Sequence, residues 1–234
     1  MTELLNAGTP ADLFLCNYVY RKEGSEDVVM HLRGAFEPDR ILSWDDLGRF
    51  SISQYMMIHN IFYKKEILDK THLFLPSHVC YSDNLIKLCP LRHCHRIYYM
   101  DVDYYYYTIG RPGQSVNEAV QIRQLDQQLF ITRLVIDGLS TYDFKKLPKK
   151  LHRLIVRDLA LLMATTSMFL YIRNDPGDLS EKKAIWRYAK EKLPEIYPLL
   201  RRQSLSIFVH FPTPLGRMIS VKGYRYANRK LNFR

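Results

Sequence analysis

The chain has 234 residues, of which 47% are apolar and 25% are charged, a composition typical of a soluble globular protein. No segment offers the ~18 uninterrupted apolar residues of a membrane-spanning helix, because Thr165, Thr166 and Ser167 interrupt the longest apolar run, residues 159–172. The first residues carry Glu3 and no basic stretch before an apolar core, so we expect no signal peptide. Four cysteines are too few for a disulfide scaffold, which favours reduced thiols and a cytoplasmic location.

The net charge of +10 is unevenly distributed. Residues 187–234 contain eleven Lys or Arg and two Glu, a net charge of +9, which leaves about +1 for the first 186 residues. A basic, aromatic-rich tail predicts an anionic partner, either a phospholipid surface or nucleic acid. The alternative is a solvated basic face without a partner. The sequence has no helix-turn-helix, RNP or zinc-finger signature, so nucleic acid is the least favoured of these partners.

The first half of the chain alternates short apolar runs with polar turns. Residues 11–20 are apolar and β-prone and predict a buried strand, and residues 28–32 predict a second, short strand. The stretch Ser43-Trp44-Asp45-Asp46 has the form of a capping box and predicts the start of a short helix. Residues 55–63 fit either a strand or a buried helix, and residues 64–70 fit a helical turn.

A loop is predicted at residues 75–82, and Asp83 is expected to begin a helix that reaches about residue 91. Residues 96–100 and 102–107 predict two strands. Residues 110–115, with Arg-Pro-Gly at their centre, predict another loop.

The remainder of the chain has a helical pattern. Apolar residues near i, i+4 spacing predict one long helix from about residue 116 to residue 136, and residues 149–172 predict another. Asp178 and Glu181 are placed to cap a third helix. Four prolines interrupt the C-terminal segment after this helix: Pro194, Pro198, Pro212 and Pro214. The architecture predicted is a mixed α/β front and an α-helical back, with the boundary between residues 115 and 140.

Asp83 is the residue whose position is most suggestive of chemistry. A carboxylate at a loop-to-helix junction is held ionised by the helix N-terminus and is exposed to a cleft by the loop. An ionised Asp can accept the proton of an attacking sugar hydroxyl within hydrogen-bond reach. The alternative is that Asp83 only caps its helix.

Three stretches of the chain resemble the bacterial family-two glycosyltransferases of GT-A type. They are residues 55–68; residues 75–84, with Leu75-Pro76, His78, Tyr81 and Asp83-Asn84; and residues 98–117, with Tyr98-Tyr99-Met100-Asp101-Val102-Asp103 and Gly110-Arg111. The resemblance implies an inverting sugar transfer in which Asp83 deprotonates the acceptor. Ser82 departs from the pattern, because many family members carry Glu at that position.

The resemblance implies a fold class of α/β, with an incomplete GT-A-like mixed sheet domain over residues 1–115. A helical C-terminal region with the basic tail would occupy residues 116–234. Residues 11–20 resemble the segment that comes after the nucleotide-sugar-binding half of the family. The chain therefore looks N-terminally truncated, and a separate chain could supply the missing half in trans. We expect the isolated chain to be a weak or inactive transferase.

The partners implied by the resemblance are a nucleotide-sugar donor and a glycan or lipid-linked acceptor of the cell envelope. The family also uses Mg²⁺ or Mn²⁺, whose ligands would lie mostly outside this chain. The basic tail would then hold the protein on the cytoplasmic face of the membrane. The alternative function is a non-catalytic transferase remnant that binds a glycan or a partner subunit.

Further candidate site residues come from the same stretches. His78, Asn84, Arg111 and Gln114 are candidates for binding the acceptor or a phosphate group. Asp101 and Asp103 flank one residue, as in a pair that holds Mg²⁺ or Mn²⁺ against a diphosphate. A salt-bridged or turn-capping role is the alternative for these two carboxylates, and Arg111 is a candidate partner of Asp103.

Histidines and cysteines also gather between residues 78 and 95, at His78, Cys80, Cys89, His93, Cys94 and His95. The spacing of Cys89 and Cys94 is admissible for half of a zinc site, but no second ligand pair occurs at finger distance. Adjacent residues 93–95 would alternate between the faces of a strand and would not converge on one ion. The sequence therefore does not favour zinc.

Overall fold

The computed structural model describes Gly8 and residues 10–51, 54–110, 117–211 and 213–230. The fold is mixed α/β, as the sequence predicts, with the sheet built from the first half of the chain and the longer helices from the second. The strands are β1 (Leu13–Lys22), β2 (Val28–Met30), β3 (Ile41–Leu42), β4 (Ile61–Tyr63) and β5 (Ile97–Ile109). The helices are α1 (Lys65–Thr71), α2 (Asp83–Leu88), α3 (Glu118–Arg123), α4 (Leu125–Ser140), α5 (Lys149–Arg173), α6 (Asp178–Lys192), α7 (Tyr197–Arg202), α8 (Ser204–Phe208) and α9 (Pro214–Lys230).

The sheet is organised around β1, whose residues 13–19 are buried. Its strand order is β2-β1-β5-β3, and β4 also pairs with β1. The long β1–β5 pairing is parallel, whereas β2, β3 and β4 pair antiparallel with their neighbours. A central strand covered on both faces needs a continuous apolar run rather than alternation, which is why residues 11–20 stand out in the sequence.

β5 is one continuous strand, so the prediction of two separate strands at residues 96–100 and 102–107 is wrong. The register explains the error: Leu15 pairs with Tyr99 but Asn17 pairs with Asp103, so β5 advances four residues while β1 advances two. A β-bulge absorbs the excess without ending the strand. Asp101 and Asp103 therefore lie in the middle of a strand rather than at a strand end.

Several local predictions hold in the connections. Ser43 caps the 3₁₀ helix Trp44–Asp46, and a carboxylate oxygen of Asp46 accepts from the Ser43 backbone N–H at 2.7 Å. The stretch predicted as a strand or a buried helix becomes a 3₁₀ turn, Ile58–Asn60, followed directly by β4. The helix that begins at Asp83 ends at Leu88 and is followed by a separate 3₁₀ turn, Leu91–His93.

Two helical predictions need correction. The long helix expected over residues 116–136 is broken at Gln124, whose backbone (φ −100°, ψ 12°) separates α3 from α4. The start of α6 is not a capping box of Asp178 and Glu181. Its N-cap is Gly177, at φ +99°, while the Asp178 carboxylate binds Arg173 and the Asp175 backbone N–H.

α5 is the central helix of the fold and packs against α3, α4, α6, α7, α8 and α9. Among the described residues it is the one helix long and apolar enough to cross a membrane, and 78% of its apolar window is buried within the fold. Two of the polar residues that interrupt its apolar run have partners there. Thr166 contacts Gln128 and Thr132 of α4, and Ser167 accepts from the Trp186 indole of α6 at 2.9 Å.

One hydrophobic cluster joins the sheet to the helices. It extends from Leu13 in β1 to Val209 after α8, and it includes Trp44 and Leu85 from the connecting segments. The boundary predicted between residues 115 and 140 is therefore a change of secondary structure within a continuous core. The loop before α2 and the start of α4 meet at the side of this core.

Candidate functional site

The loop before α2 is held against the first residues of α4. The Cys80 backbone N–H donates to the Gln127 side chain at 2.8 Å, and the Tyr81 hydroxyl lies 3.4 Å from the Gln124 side-chain oxygen. His78 and Tyr81 have positive φ, at +59° and +69°. Left-handed backbone at non-glycine residues costs energy and concentrates at functional segments.

Asp83 is the first residue of α2 and is partly buried. The nearby backbone N–H groups of Asp83 and Asn84 favour its charged form, while the Asn84 N–H itself donates to the Tyr81 carbonyl oxygen at 3.1 Å and the Ser82 side chain makes no cap. Burial raises the pKa of the Asp83 carboxyl, and the opposing effects of Lys87 and the two backbone N–H groups do not reverse this. Desolvation therefore outweighs the helix N-terminus in setting the direction of the pKa shift of Asp83.

A raised pKa suits Asp83 for accepting a proton. A carboxylate with an ordinary pKa is a weak base at neutral pH, and raising the pKa brings it closer to the operating pH. The cation nearest in sequence is Lys87, one turn further along α2. Its ammonium also lies 3.7 Å from a carboxylate oxygen of Asp158 in α5. Lys87 therefore connects the candidate base to the core helix.

The other two residues predicted around Asp83 lie on the same segment. Asn84 donates to the Tyr81 carbonyl oxygen at 3.0 Å, so its amide stabilises the left-handed turn of the loop. His78 is exposed on the loop. The remaining two predicted residues, Arg111 and Gln114, lie outside the described residues, as does any pairing of Arg111 with Asp103.

Asp101 is engaged in the ion pair that the sequence offered as the alternative to a metal site. One of its carboxylate oxygens accepts from Asn17 at 2.9 Å and from the Tyr99 hydroxyl at 3.1 Å. The other accepts from the Arg33 guanidinium. Asn17 also donates to Asp103, at 3.0 Å, so one amide joins the two carboxylates across the bulge. These bonds to the charged form hold the pKa of Asp101 below its usual range against the effect of burial.

This donor set does not fit a divalent cation. Both oxygens of Asp101 already accept hydrogen bonds, and a guanidinium beside the pair opposes a second cation. In the part of the chain that the structure describes, no three His, Cys, Asp or Glu side chains gather into a ligand set.

The cysteines are free thiols. Burial raises the pKa of Cys89 to about 12 and also raises the pKa of Cys94. Thiols held protonated in this way are poor metal ligands and poor nucleophiles. Cys89 instead packs against Gly138 of α4, where an added Cβ would lie 2.6 Å from its sulfur.

Two features of the structure were missed in the sequence. The first is the buried Lys87–Asp158 pair, which joins residues 71 positions apart and has no local signature. The second is a cleft of about 560 Å³ between the loop at residues 47–50 and the start of α5. Its signal was present as the spacing of Lys150, Arg153 and Arg157, which places three cations on one face of a helix.

No protein-family model matches the chain, and neither a curated protein nor a solved structure matches it.

Proposed function

We propose that the chain is the acceptor side of an inverting, GT-A-type glycosyltransferase, with Asp83 as the base that deprotonates the acceptor. The observation that carries the proposal is the environment of the Asp83 carboxylate. It is a partly buried carboxylate with a raised pKa, at the start of a helix and directly after a loop with two left-handed residues. A residue that only caps a helix gains nothing from desolvation, because burial opposes the charged form that caps best.

In the proposed reaction the acceptor hydroxyl attacks the anomeric carbon of a nucleotide-sugar. The new bond joins the acceptor oxygen to that carbon, and the bond from the carbon to the leaving diphosphate breaks on the opposite face. The hydroxyl proton passes to a carboxylate oxygen of Asp83. Attack from the face opposite the leaving group inverts the anomeric configuration.

Lys87 acts as a positioning residue in this proposal. Its positive charge opposes the pKa increase that burial imposes on Asp83 and so favours the ionised form, which is the form that accepts a proton. The nearby backbone N–H groups of Asp83 and Asn84 act on the pKa of Asp83 in the same direction as Lys87.

We propose a peripheral membrane location on the basis of the last helices. Among the described residues, α9 exposes Leu215, Met218, Ile219 and Tyr226, at 61%, 46%, 55% and 67%. The spacing of these four residues puts them along one side of the helix, and the exposed Lys222 lies on the same side. A basic helix with an exposed apolar side is typical of binding at an anionic membrane surface. A lipid-linked acceptor would be reached from there.

Acceptor binding tests the function without a donor. Alkyl glycosides of common hexoses would be added to the full chain, and saturation transfer from protein to sugar would be measured by NMR. We expect one class of glycoside to bind the wild type and to lose most of its saturation in Asp83→Ala. Asp69→Ala is the matched control, because Asp69 is an exposed carboxylate on the neighbouring helix α1. Absence of binding by every glycoside would contradict the proposal.

Transfer itself is measured with labelled nucleotide-sugars, Mn²⁺ and the glycoside that binds. We expect little or no product from the chain alone, and robust turnover would contradict that expectation. Where turnover is detected, Asp83→Asn should reduce it by about 10²–10⁴-fold, the usual contribution of a positioned base. Full activity in Asp83→Asn would show that Asp83 is not the base that deprotonates the acceptor.

Membrane binding is tested by co-sedimentation with vesicles of phosphatidylglycerol and phosphatidylcholine. Ile219→Glu should release the chain from the vesicles, because it places a charge among the exposed apolar residues of α9. Leu179→Glu is the control, since Leu179 is also exposed, at 40%, but belongs to α6. Equal binding of the two variants would contradict the assignment of α9 as the contact.

The second candidate is a non-catalytic remnant that binds a glycan or a partner chain. Two observations favour it: Ser82 replaces the Glu common in the family, and Asp101 is committed to Arg33 rather than open to a metal. The glycoside experiment separates the candidates in combination with the transfer assay. Binding that survives in Asp83→Ala, without turnover under any condition, would favour the remnant.

A further inference from the structure

Among the described residues, the cleft beside the start of α5 is lined by four cationic side chains and no acidic one. The cations are Arg49 from the loop and Lys150, Arg153 and Arg157 from the helix. Arg49, Lys150 and Arg153 form no salt bridge with a described residue. Hydrogen bonds from the Ser43 backbone and hydroxyl groups lower the pKa of the Asp46 carboxyl, and the charge of Lys150 adds a smaller effect without forming a salt bridge to it. The positive charge in the cleft is therefore not neutralised by the described part of the chain.

The helix itself adds to this positive charge. α5 has 25 residues, its N-cap Pro148 makes no side-chain cap, and its first turn contains no acidic residue. The N-terminus of a helix carries a partial positive charge and unpaired N–H groups, so acidic residues are favoured there and basic ones are not. Lys149 and Lys150 occupy this position instead. Their placement opposes helix stability and favours an anion bound from outside.

Arg157 supplies a second, independent observation. One guanidinium nitrogen donates to the Gln54 carbonyl oxygen at 2.7 Å, and the guanidinium lies 4.9 Å from the ring centre of Phe50 and 4.8 Å from that of Tyr55. Its Nη1 is buried without a hydrogen-bond partner among the described residues. The side chain is half-buried and its other terminal nitrogen already donates to backbone carbonyl oxygens, so Nη1 is the donor of the guanidinium group for which an anion would supply an acceptor.

The wall opposite the helix is fixed by close backbone packing. The Gly48 N–H donates to the Ala35 carbonyl oxygen at 2.8 Å, and a Cβ at Gly48 would lie 1.9 Å from the Gly34 oxygen. Only glycine allows the loop to approach this closely. The loop that carries Arg49 and Phe50 is therefore held in place before any ligand arrives.

We propose that this cleft binds the diphosphate group of a small-molecule or lipid ligand. Four cations around a concave site match two adjacent phosphates better than a single carboxylate, and guanidinium groups bind phosphate oxygens through paired donors. The helix N-terminus adds N–H donors of the kind that commonly bind phosphate. The cleft is separate from Asp83, so the proposal stands whether or not the chain takes part in sugar transfer.

The test measures the melting temperature of the full chain during titration with inorganic pyrophosphate at low salt, since a ligand of the native state stabilises it by mass action. We expect saturable stabilisation that weakens as salt is added. The double variant Lys150→Glu/Arg153→Glu should raise the dissociation constant by roughly 10-fold or more. Without ligand it should melt at the wild-type temperature or slightly above, because glutamates suit a helix N-terminus.

The matched control is Arg187→Glu/Lys190→Glu, which makes the same charge change at the same spacing on exposed positions of α6. This control and Asp83→Asn should both bind pyrophosphate as the wild type does. Loss of binding in the control to the same extent would show nonspecific attraction to the basic chain and would overturn the proposal. So would the absence of any stabilisation by pyrophosphate at low salt.

Two further titrations separate the sources of the diphosphate. Uridine diphosphate represents a nucleotide, and farnesyl diphosphate represents a prenyl lipid. One of the two should bind more tightly than inorganic pyrophosphate and should lose this advantage in Lys150→Glu/Arg153→Glu. That ligand shows whether the natural diphosphate belongs to a nucleotide or to a prenyl lipid.

Discussion

The ammonium of Lys87 lies 3.7 Å from a carboxylate oxygen of Asp158, at a point where both side chains are almost completely buried. The other oxygen of Asp158 has no hydrogen-bond partner among the described residues. The charge of Lys87 also favours the ionised form of Asp83, and so opposes the increase in the pKa of Asp83 that burial causes. The positive charge of Lys87 therefore stabilises the ionised forms of two carboxylates, Asp158 in the core and Asp83 at the candidate site. Substitution of Lys87 should therefore change both the stability of the fold and the pKa of Asp83.

Lys87→Met should destabilise the fold by about 3 kcal/mol, because it leaves the Asp158 carboxylate buried and unpaired. Replacing both residues, as in Lys87→Met/Asp158→Leu, should cost much less, since no isolated charge remains. Urea unfolding of the two single variants and the double variant measures the coupling. Additive effects of the single changes would contradict a direct interaction between the two side chains.

Asp83→Asn should stabilise the fold at neutral pH. The folded-state pKa of Asp83 is raised, so the ionised form is penalised in the native state and the native state binds the proton more tightly than the unfolded state. The advantage of the variant should be present above the folded-state pKa and should shrink as the pH falls towards the unfolded value, about 3.9. Melting temperatures of both proteins across this range, with Asp69→Asn as control, check the prediction. A destabilised variant at neutral pH would indicate that capping outweighs desolvation.

Local signals in the sequence were sufficient for much of the fold. The apolar run of β1, the capping box of Ser43 and Asp46, and the periodicity of α5 each depend on neighbours a few residues away. The ionic role of Asp101 was an available alternative, but its partner Arg33 is 68 residues distant and no pattern identifies it. Asp83 was found at the start of its helix, as predicted.

Features that depend on tertiary packing were not predicted. The bulge that makes β5 one strand arises from its register with β1, and the break at Gln124 lies where Tyr81 meets the helices. The direction of the Asp83 pKa was also missed, because burial by distant segments decides it. The basic cleft requires the loop at residues 47–50 to face α5, a contact across about 100 residues of sequence.

Acid should destabilise the protein through His59 and His210. Burial lowers the pKa of each imidazole to about 4, and each has an Nε2 without a hydrogen-bond partner among the described residues. His59 is stacked on Tyr105, with ring centres 5.1 Å apart. Because the folded-state pKa is depressed, the associated stability is present above the unfolded value of about 6.5 and is lost as the pH falls towards 4.

His59→Phe should keep the ring packing and reduce the loss of unfolding free energy between pH 6.5 and 4 by roughly 1–3 kcal/mol. His210→Phe should have a similar effect against Trp186, whose ring centre is 4.3 Å away. Urea midpoints at several pH values measure this loss. An unchanged pH profile in His59→Phe would show that the native protein already accommodates the imidazolium at that position.

Asp101→Asn distinguishes the ion pair from a metal site at the centre of β5. The variant should lose about 1–3 kcal/mol of unfolding free energy, because the carboxylate accepts bonds from Asn17, Tyr99 and Arg33 that an amide cannot all replace. Arg33→Gln should cost less, about 1 kcal/mol at most, since the Arg33 side chain is 64% exposed and water can take its place.

The Asp101 carboxyl has a lowered pKa, so its contribution to stability is present above the unfolded value of about 3.9 and is lost as the pH falls through the lower folded value. Wild type and Asp101→Asn should therefore converge in strong acid, and Mn²⁺ should stabilise neither at neutral pH. Stabilisation of the wild type by Mn²⁺, abolished in Asp101→Asn and in Asp103→Asn, would mean that the cation displaces Arg33. The two carboxylates joined by Asn17 would then be metal ligands rather than structural partners.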